Sequence, residues 1–328
     1  MSIIGIDIGG TKILGVCATE EGKVLAEFKE PTGAADGFEA VLGRIVALIR
    51  RLLPAEGLVG IGVGVPGPLN VAAGIVYDPP NLPGWETVPL RDLLYERLEL
   101  PGSSLSGIPI VLANDANAAA LAEFKFGAGS EKRLGRKIKH LVYLTISTGI
   151  GGGVITDGKL LLGATGLAAE LGHIVIDLHG PRCSCGNIGC LEAMASGTAL
   201  AREAAIVVAS RRETSMAAAV GGRPENMTAQ IVDDAAKAGD RAALELMERE
   251  GMLVGVGVVN CIHSFNPELV VLGGGVTNAG DLLFKPVRAT VEARIMRGYR
   301  GTFDIVPAAL GGEVGGLGAV AAVLDQIR

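Results

Sequence analysis

Short apolar runs separated by glycine turns make up the first thirty residues of the chain. Three of these runs have the length and the apolar content of β-strands, at residues 3–8, 13–18 and 24–28. Apolar residues then recur at helical spacing from Phe38 to Ile49, and the pattern ends before Pro54. We therefore predict three strands joined by tight turns, followed by an amphipathic helix.

Predicted strands and helices alternate along the rest of the chain. Buried strands are predicted at residues 58–65, 108–113, 141–146, 154–155, 269–272 and 305–306. Helices are predicted at residues 116–126, 200–210, 229–238, 241–263, 281–295 and 318–327. This alternation is typical of α/β folds. A chain of 328 residues also exceeds the roughly 250–300 residues at which one hydrophobic core stops growing, so we expect two lobes.

The composition and the charge of the chain exclude several classes of protein. Hydrophobic residues make up 49% and charged residues 20%, which excludes intrinsic disorder. The net charge is −6 and no basic stripe is visible, so we expect no nucleic-acid partner. No run reaches the ~18 apolar residues of a membrane span, and the first residues lack the pattern of a signal peptide. We expect a cytoplasmic protein with no membrane partner.

Three glycine-rich turns follow predicted strands, at Gly9–Lys12, Thr148–Gly153 and Gly273–Gly275. Glycines allow backbone N–H groups to point at an anion, and Thr11 and Lys12 add donors to the first turn. A Walker A motif would place its Lys before its Ser or Thr and would open a helix. Here the order is reversed and a strand follows, so the P-loop interpretation fails. The turns are candidate phosphate sites of another kind, and ordinary hairpin turns are the alternative.

Four potential metal ligands lie close together in the sequence. His173, Cys183, Cys185 and Cys190 form the pattern H-x9-C-x-C-x4-C. Three thiolates and an imidazole suit tetrahedral zinc, and four protein ligands leave no open position for a zinc-bound water, so the predicted site is structural. The alternative is three reduced thiols and an unrelated histidine, which the polar composition of the loop 180–189 disfavours.

Several polar residues lie where they can serve a binding site. Asp7 comes beside the first glycine turn and is a candidate for holding magnesium through water, or for capping the turn. Asn114 and Asp115 lie between a strand and a helix, where helix capping is the alternative. Glu170 and Glu192 flank the cysteine loop and can accept hydrogen bonds from a polyhydroxylated ligand, or else be solvated surface charges.

Five motifs together resemble those of the ROK family (repressors, open reading frames and sugar kinases), and within it the bacterial and archaeal glucokinases. They are DIGGTK at 7–12, NDANAA at 114–119, TGIGGG at 148–153, ELGH at 170–173 and CSCGNIGCLE at 183–192. The resemblance covers essentially the whole chain. It implies an actin-like ATPase (ribonuclease H-like) fold, with two α/β lobes around an interlobe cleft and a homodimer or homotetramer as the assembly. We expect the smaller lobe at residues 1–115 and about 305–328, and the larger lobe, with the zinc loop, at 116–304.

The resemblance also implies a reaction, which is phosphoryl transfer from Mg-ATP to the 6-hydroxyl of a hexose, with glucose as the expected acceptor. It assigns Asp115 as the general base. The implied sugar ligands are Asn114, Asp115, Glu170, His173 and Glu192. The implied nucleotide ligands are Gly9, Gly10, Thr11, Lys12, Thr148, Gly149 and Gly151 at the phosphates and Gly273, Gly274 and Gly275 at the adenosine. The implied metal ligands are His173, Cys183, Cys185 and Cys190 for structural zinc and Asp7, through water, for magnesium.

Two alternative functions remain at this point. The first is a kinase for another sugar, namely N-acetylmannosamine, N-acetylglucosamine, fructose, allose or a cyclitol. The second is a non-catalytic sugar-binding regulator, which the intact Asn114-Asp115 pair and the glycine turns disfavour. The sequence leaves the sugar, the preferred phosphoryl donor and the number of subunits open.

Overall fold

The computed structural model describes residues 1–79, 81–98, 107–210 and 213–327. The chain forms two compact units. The first unit comprises Met1–Lys139, Gly153–Ala169 and Ala309–Arg328, and the second comprises His140–Gly152 and Glu170–Ala308. The chain thus passes from one unit to the other four times.

The strands are β1 (Ser2–Ile8), β2 (Lys12–Thr19), β3 (Val24–Pro31), β4 (Leu58–Val65), β5 (Leu69–Asn70), β6 (Ile75–Val76), β7 (Ile110–Asn114), β8 (Leu141–Ile146), β9 (Ile150–Thr156), β10 (Lys159–Leu160), β11 (Leu269–Gly273) and β12 (Asp304–Pro307). The helices are α1 (Phe38–Leu52), α2 (Leu90–Leu98), α3 (Asp115–Lys125), α4 (Glu131–Leu134), α5 (Leu191–Ala195), α6 (Gly197–Ala209), α7 (Ser215–Ala219), α8 (Ala229–Lys237), α9 (Arg241–Phe265), α10 (Asp281–Arg294) and α11 (Val314–Gln326). Among the helices of the described residues, none combines the length and the apolarity that crossing a lipid bilayer requires.

The sheet of the first unit has the strand order β3-β2-β1-β4-β7. The hairpin β1–β2 is antiparallel, whereas β1 and β7 both run parallel to β4. Helix α11 packs directly on β1 and β4. Glycines allow this close approach, because a Cβ atom on Gly5 or Gly62 would overlap the backbone carbonyl of Gly316 or Ala319. The packing brings the first turn of α11 to the end of β1, where Asp7 lies.

The second sheet has the order β10-β9-β8-β11-β12, and β8, β11 and β12 are parallel. Helices α9 and α10 pack against each other in the second unit. Their contact depends on small residues, because a Cβ atom on Gly251 of α9 would lie 2.5 Å from Cγ of Pro286 in α10.

The predicted strands and helices are present, with shifts at their ends. Helix α11 begins at Val314 rather than at residue 318, because Gly315 and Gly316 pack against the side chains of Asp7 and Val16 instead of forming a loop. Strand β9 begins at Ile150 rather than at residue 154. Helix α3 packs along α11 and groups with the first compact unit, while the predicted boundaries of the lobes stay a prediction.

Candidate active site

An acidic pair lies in the first unit, formed by Asp7 and Asp115. Because β1 and β7 run in the same direction on either side of β4, their carboxyl ends meet at one edge of the sheet. Burial and the nearby charge of Asp115 raise the pKa of Asp7 to about 6, and Lys12 opposes this shift. The edge thus concentrates negative charge, as a site that holds a cation requires.

The start of helix α11 lies behind this pair. A Cβ atom on Gly315, the second residue of α11, would overlap the carboxylate of Asp7. The positive end of the helix dipole therefore lies next to a half-buried carboxylate, which is a favourable arrangement. Only glycine at position 315 allows this approach.

The first glycine turn connects β1 and β2. Gly9 N donates to Lys12 O over 2.9 Å, and Thr32 N donates to Thr11 O over 3.0 Å. Thr32 also donates from its hydroxyl to the carbonyl of Gly9, while the side chains of Thr11 and Lys12 remain exposed. The connection is a hairpin turn, which is the alternative that the sequence left open. Hydrogen bonds hold the turn in place, and it presents two exposed donor side chains.

Asn114 and Asp115 begin helix α3. The Oδ1 atom of Asn114 accepts from Ala116 N at 3.0 Å and from Asn117 N at 3.2 Å, and so caps the helix. The Oδ1 atom of Asp115 accepts from Ala116 N at 2.8 Å, and the Asp115 side chain is exposed. Capping therefore occupies the Oδ1 atom of Asn114. The side-chain NH₂ group of Asn114 and the carboxylate of Asp115 are the groups that a ligand would meet.

The four predicted zinc ligands come together in the second unit. Their ligand atoms all lie within 4.8 Å of one another. The distance from Cys183 Sγ to His173 Nδ1 is 3.6 Å, and that from Cys185 Sγ to Cys190 Sγ is 3.7 Å. Tetrahedral zinc with Zn–S bonds of about 2.3 Å separates its sulfur ligands by about 3.8 Å, so the donor set and its spacing fit this metal.

The thiols of this cluster affect one another's ionisation. Burial, followed by the neighbouring thiols Cys185 and Cys183, raises the pKa of Cys190 to about 12. A backbone hydrogen bond from Asn187 is the main reason that the pKa of the exposed Cys185 is lowered. A bound cation would stabilise all three thiolates together.

Glu192 links the cysteine loop to the second glycine turn. Its Oε1 atom accepts from Ser184 Oγ at 3.4 Å and lies 3.7 Å from Cys183 Sγ. Its Oε2 atom accepts from Ile150 N at 3.0 Å, and a Cβ atom on Gly149 would overlap this oxygen. Glu192 is thus half-buried and accepts hydrogen bonds through both carboxylate oxygens, so it is not a solvated surface charge.

Glu170 directly precedes a 3-10 turn, Leu171–His173, in the same unit. His173 N donates to Glu170 O over 3.0 Å, and Gly172 packs on the carbonyl of Ile150 so closely that no Cβ atom fits. Because His173 presents Nδ1 to the thiol of Cys183, its Nε2 atom lies on the opposite side of the ring.

A pocket of about 420 Å³ in the second unit joins the two other glycine turns. Its walls include Thr148 and Gly275 from these turns, and Thr198, whose hydroxyl donates to Thr148 O over 2.8 Å. Apolar side chains complete it, among them those of Leu200, Met227, Met247 and Val276. The combination of apolar walls and a few polar groups is typical of small-ligand sites.

Helix α8 also contributes to this pocket, which its sequence pattern does not predict. Asp233 of α8 lines the pocket and is 7% exposed. The available signal was an acidic residue among the buried positions Val232, Ala235 and Ala236 of an amphipathic helix. That pattern indicates a buried carboxylate but not what it faces.

The fold is that of the actin-like ATPases, as the comparison with solved structures shows. The structure of a ROK family glucokinase from Streptomyces griseus in complex with glucose and AMPPNP matches over 100% of both chains, with a TM-score of 0.81 and 31% identity. The ROK hexokinase from Thermus thermophilus matches over 100% of this chain and 99% of its own, with a TM-score of 0.79 and 33% identity.

The chain belongs to the ROK family, whose sequence model matches residues 3–326. Among its relatives, the glucokinase of Thermotoga maritima is 40% identical over 327 residues, which cover 100% of this chain and 98% of the relative. The family resemblance and the fold class that the sequence predicts are therefore confirmed.

Proposed function

We propose that the protein is an ATP-dependent kinase that transfers the γ-phosphoryl group of Mg-ATP to the 6-hydroxyl of glucose. The relatives support this pair of substrates, because the 40% identical relative is a glucokinase and the Streptomyces griseus structure contains glucose and AMPPNP. The observation that carries the proposal is the acidic pair, in which an exposed carboxylate at the start of α3 lies near a half-buried one at the end of β1.

Asp115 is the proposed general base. Its carboxylate is exposed, and the cap formed by Asn114 fixes the backbone from which it projects. Asp115 accepts the proton of the sugar 6-hydroxyl while the hydroxyl oxygen attacks the γ-phosphorus and ADP leaves. General-base assistance contributes about 10²–10⁴-fold. The remaining acceleration comes mainly from positioning and from stabilisation of the phosphate charge.

Asp7 and the first glycine turn are the proposed phosphate side of the first unit. Asp7 fits a role in holding hydrated magnesium, because burial and Asp115 leave its charge poorly stabilised. When bound, magnesium neutralises charge on the phosphates. The backbone N–H groups of Gly9 and Gly10 and the side chains of Thr11 and Lys12 are the proposed donors to phosphate oxygens.

The sugar hydroxyls are the proposed ligands of five side chains: Asn114, Asp115, Glu170, His173 and Glu192. In the second unit this role is supported by the hydrogen bonds of Glu192, which hold the cysteine loop against the second glycine turn. His173 and the three cysteines would hold zinc, which would fix the loop as a structural ion. His173 then turns Nε2 away from the metal, available to a sugar hydroxyl.

The nucleotide is proposed to occupy the pocket of the second unit. Thr148, Gly149 and Gly151 supply phosphate contacts, and the turn Gly273–Gly275 lies beside the adenosine. The presence of Thr148 and Gly275 in the wall of one pocket supports this assignment.

A coupled assay of ADP release with Mg-ATP across a panel of sugars tests the proposed function. The panel contains glucose, N-acetylmannosamine, N-acetylglucosamine, fructose, allose and a cyclitol. We expect the highest kcat/KM with glucose. A tenfold preference for another sugar would correct the substrate. The absence of ADP release with every sugar of the panel would reject the kinase in favour of a sugar-binding regulator.

The family resemblance further supports a homodimer or homotetramer, and the need to keep the cysteine thiols reduced supports a cytoplasmic location. Light scattering coupled to size-exclusion chromatography would measure the number of subunits. A monomer at micromolar concentration would contradict the proposed assembly.

A further inference from the structure

A buried threonine holds the first glycine turn. Thr32 follows β3 directly, is 0% exposed, and donates from its hydroxyl to the carbonyl oxygen of Gly9. Its backbone N–H group donates to Thr11 O over 3.0 Å. Thr32 thus binds the two carbonyl groups that lie on either side of Gly10 in the chain.

Thr32 is itself held by helix α1. Arg44 of this helix donates from Nη1 to Thr32 O over 2.8 Å, and its Nη2 atom forms an ion pair with Asp36. Thr32 therefore has hydrogen bonds at its backbone N–H, its hydroxyl and its carbonyl. Because all three groups are bonded, the hydroxyl meets the turn from a fixed and buried position.

The bond to Gly9 O determines the direction of the next N–H group. A peptide group is planar and trans, so its C=O and N–H bonds point in opposite directions. Since Gly9 O points at a fully buried hydroxyl, the N–H group of Gly10 points away from the interior. Gly9 N already donates to Lys12 O, whereas the described chain offers no acceptor to Gly10 N. The N–H group of Gly10 is therefore the donor that is free for a ligand.

The second glycine turn has the same arrangement within the second unit. The hydroxyl of Thr198 donates to Thr148 O over 2.8 Å, and the residue after Thr148 is Gly149. Thr198 lies 50 positions along the chain, so local turn chemistry does not account for the bond. At both turns a threonine from a distant segment holds the carbonyl directly before a glycine N–H group. This recurrence indicates that the direction of the N–H group matters.

We propose that Thr32 is a positioning residue for the phosphoryl donor, because its hydroxyl holds the Gly9–Gly10 peptide with the N–H group of Gly10 towards a phosphate oxygen. The inference rests on the proposed function in placing phosphates at the first glycine turn. It adds a residue that acts on the phosphates without touching them. Without the hydroxyl, the peptide can rotate and present a carbonyl oxygen, which only accepts hydrogen bonds and repels a phosphate.

Thr32→Val and Thr32→Ser separate the hydrogen bond from the packing. Valine keeps the volume and removes the hydroxyl, whereas serine keeps the hydroxyl and removes the methyl group. We expect Thr32→Val to raise the Kd of Mg-ATP, measured by calorimetry without sugar, about tenfold, which is the factor for one hydrogen bond to a charged group. The Kd of adenosine should stay unchanged, because adenosine has no phosphates. Thr32→Ser should bind Mg-ATP as the wild type does.

Urea unfolding of the same variants shows whether the role is merely structural. Serine leaves a small cavity, so Thr32→Ser should lose stability and still keep its affinity for Mg-ATP. The matched control is Thr302→Val, which removes an exposed hydroxyl that donates to Tyr299 O over 2.9 Å and should change neither Kd. If Thr32→Ser loses affinity for Mg-ATP as fully as Thr32→Val does, the role is structural and the inference fails.

Thr32→Ala replaces Thr32→Val if the valine variant does not fold. Alanine and serine both lack the methyl group and differ in the hydroxyl alone, so Thr32→Ala should bind Mg-ATP about tenfold more weakly than Thr32→Ser. Equal Kd values for these two variants overturn the inference.

The inference and the proposed function fail separately. Wild-type affinity of Thr32→Val for Mg-ATP, in a protein that phosphorylates glucose, refutes the role of Thr32 and leaves the kinase intact. A tenfold loss of affinity for Mg-ATP in this variant, in a protein that phosphorylates no sugar, supports the role of Thr32 and refutes the sugar kinase.

Discussion

At the scale of single residues, Asp7 shows how the charge of a proposed magnesium-binding residue opposes stability. Its pKa of about 6 in the folded chain lies above the ordinary value of 3.8, first because of burial and then because of Asp115. The folded state thus binds this proton more tightly than the unfolded state does. The resulting stability is complete below pH 4 and is lost as the pH rises through about 6.

We predict that Asp7→Asn stabilises the protein at pH 8 by on the order of 2 kcal/mol and brings little gain at pH 4, because an amide carries no charge to desolvate. Urea unfolding at the two pH values measures this difference. Turnover should be lost, because the proposed magnesium ligand is gone. The matched control is Asp92→Asn on the exposed surface of α2. If Asp7→Asn is less stable than wild type at pH 8, the ionised carboxylate of Asp7 does not destabilise the folded protein.

Asp115→Asn tests the proposed base directly. Asparagine keeps the shape of the side chain and an oxygen for the bond to Ala116 N, so the start of α3 remains formed. We predict that kcat falls by about 10²–10⁴-fold while glucose binding is retained. Coupled ADP release gives kcat and calorimetry gives the sugar Kd. Near-normal turnover would remove Asp115 from the role of base.

At the scale of elements, helix α9 contains a carboxyl group at a position that the fold buries. Glu250 is 2% exposed, and its Oε1 atom has no partner within the described chain. Burial raises its pKa from 4.5 to about 8, and Arg249 only partly opposes the shift. The corresponding stability is therefore present below pH 4.5 and lost as the pH rises towards 8.

We predict that Glu250→Gln gains stability relative to wild type between pH 5 and pH 8, by on the order of 3 kcal/mol across that interval. Glutamine has the same shape and takes up no proton on folding. Chemical denaturation at both pH values measures the gain. Glu248→Gln, at an exposed position of the same helix, should show no such trend. A pH-independent effect of Glu250→Gln would rule out the buried acid as the cause.

The cysteine loop is an element that its own side chains do not hold together. The stretch 180–189 contains few apolar residues, although Cys183 and Cys190 are buried. We predict that removal of zinc with a strong chelator weakens glucose binding at least tenfold, because Glu192 and His173 lose their anchor. ATP binding should change little. Zinc release and the two Kd values are the measurements.

Cys261→Ala is the control for the zinc prediction, because Cys261 lies buried in α9 and outside the ligand cluster. This variant should retain zinc and sugar affinity. If the metal-free protein binds glucose as tightly as the metal-bound protein, the cysteine loop does not support the sugar site.

Local patterns explain which parts of the molecule were predictable. The apolar run that predicts β1 and the helical spacing that predicts α1 both depend on neighbouring residues, and both elements are present. The cysteine spacing likewise brings its ligands together, because the loop is short. The early start of α11 was not predictable, since its glycines look like a loop until Gly316 is seen to pack on β2. Asp233 lines a pocket built from five distant segments, which no local pattern describes.

At the scale of the whole molecule, the first unit is assembled from three separate stretches of the chain. Glu123, fully buried near the end of α3, connects two of them. Its Oε1 atom accepts from the backbone N–H groups of Ala309 and Leu310, each over 2.9 Å, and its Oε2 atom accepts from Ala128 N at 2.7 Å. Ala309 and Leu310 open the last stretch of the first unit, which continues into α11. The carboxylate of Glu123 thus ties helix α3, which begins with Asp115, to the last stretch of the first unit.

Glu123→Gln tests this connection without removing volume. A carboxylate accepts on both oxygens, whereas an amide has one oxygen and one NH₂ group, so in either orientation the NH₂ group faces at least one backbone N–H donor. We predict a loss of about 1–3 kcal/mol in the free energy of unfolding, the cost of leaving a buried donor unsatisfied. Urea unfolding measures the loss, and Glu96→Gln at an exposed position of α2 should leave stability unchanged. The carboxylate of Glu123 bonds to backbone groups that lie 186 and 187 positions further along the chain. The loss should therefore appear as a lower midpoint of the cooperative transition rather than as local fraying of α3. A wild-type midpoint for Glu123→Gln would show that packing alone, and not this carboxylate, holds the stretches of the first unit together.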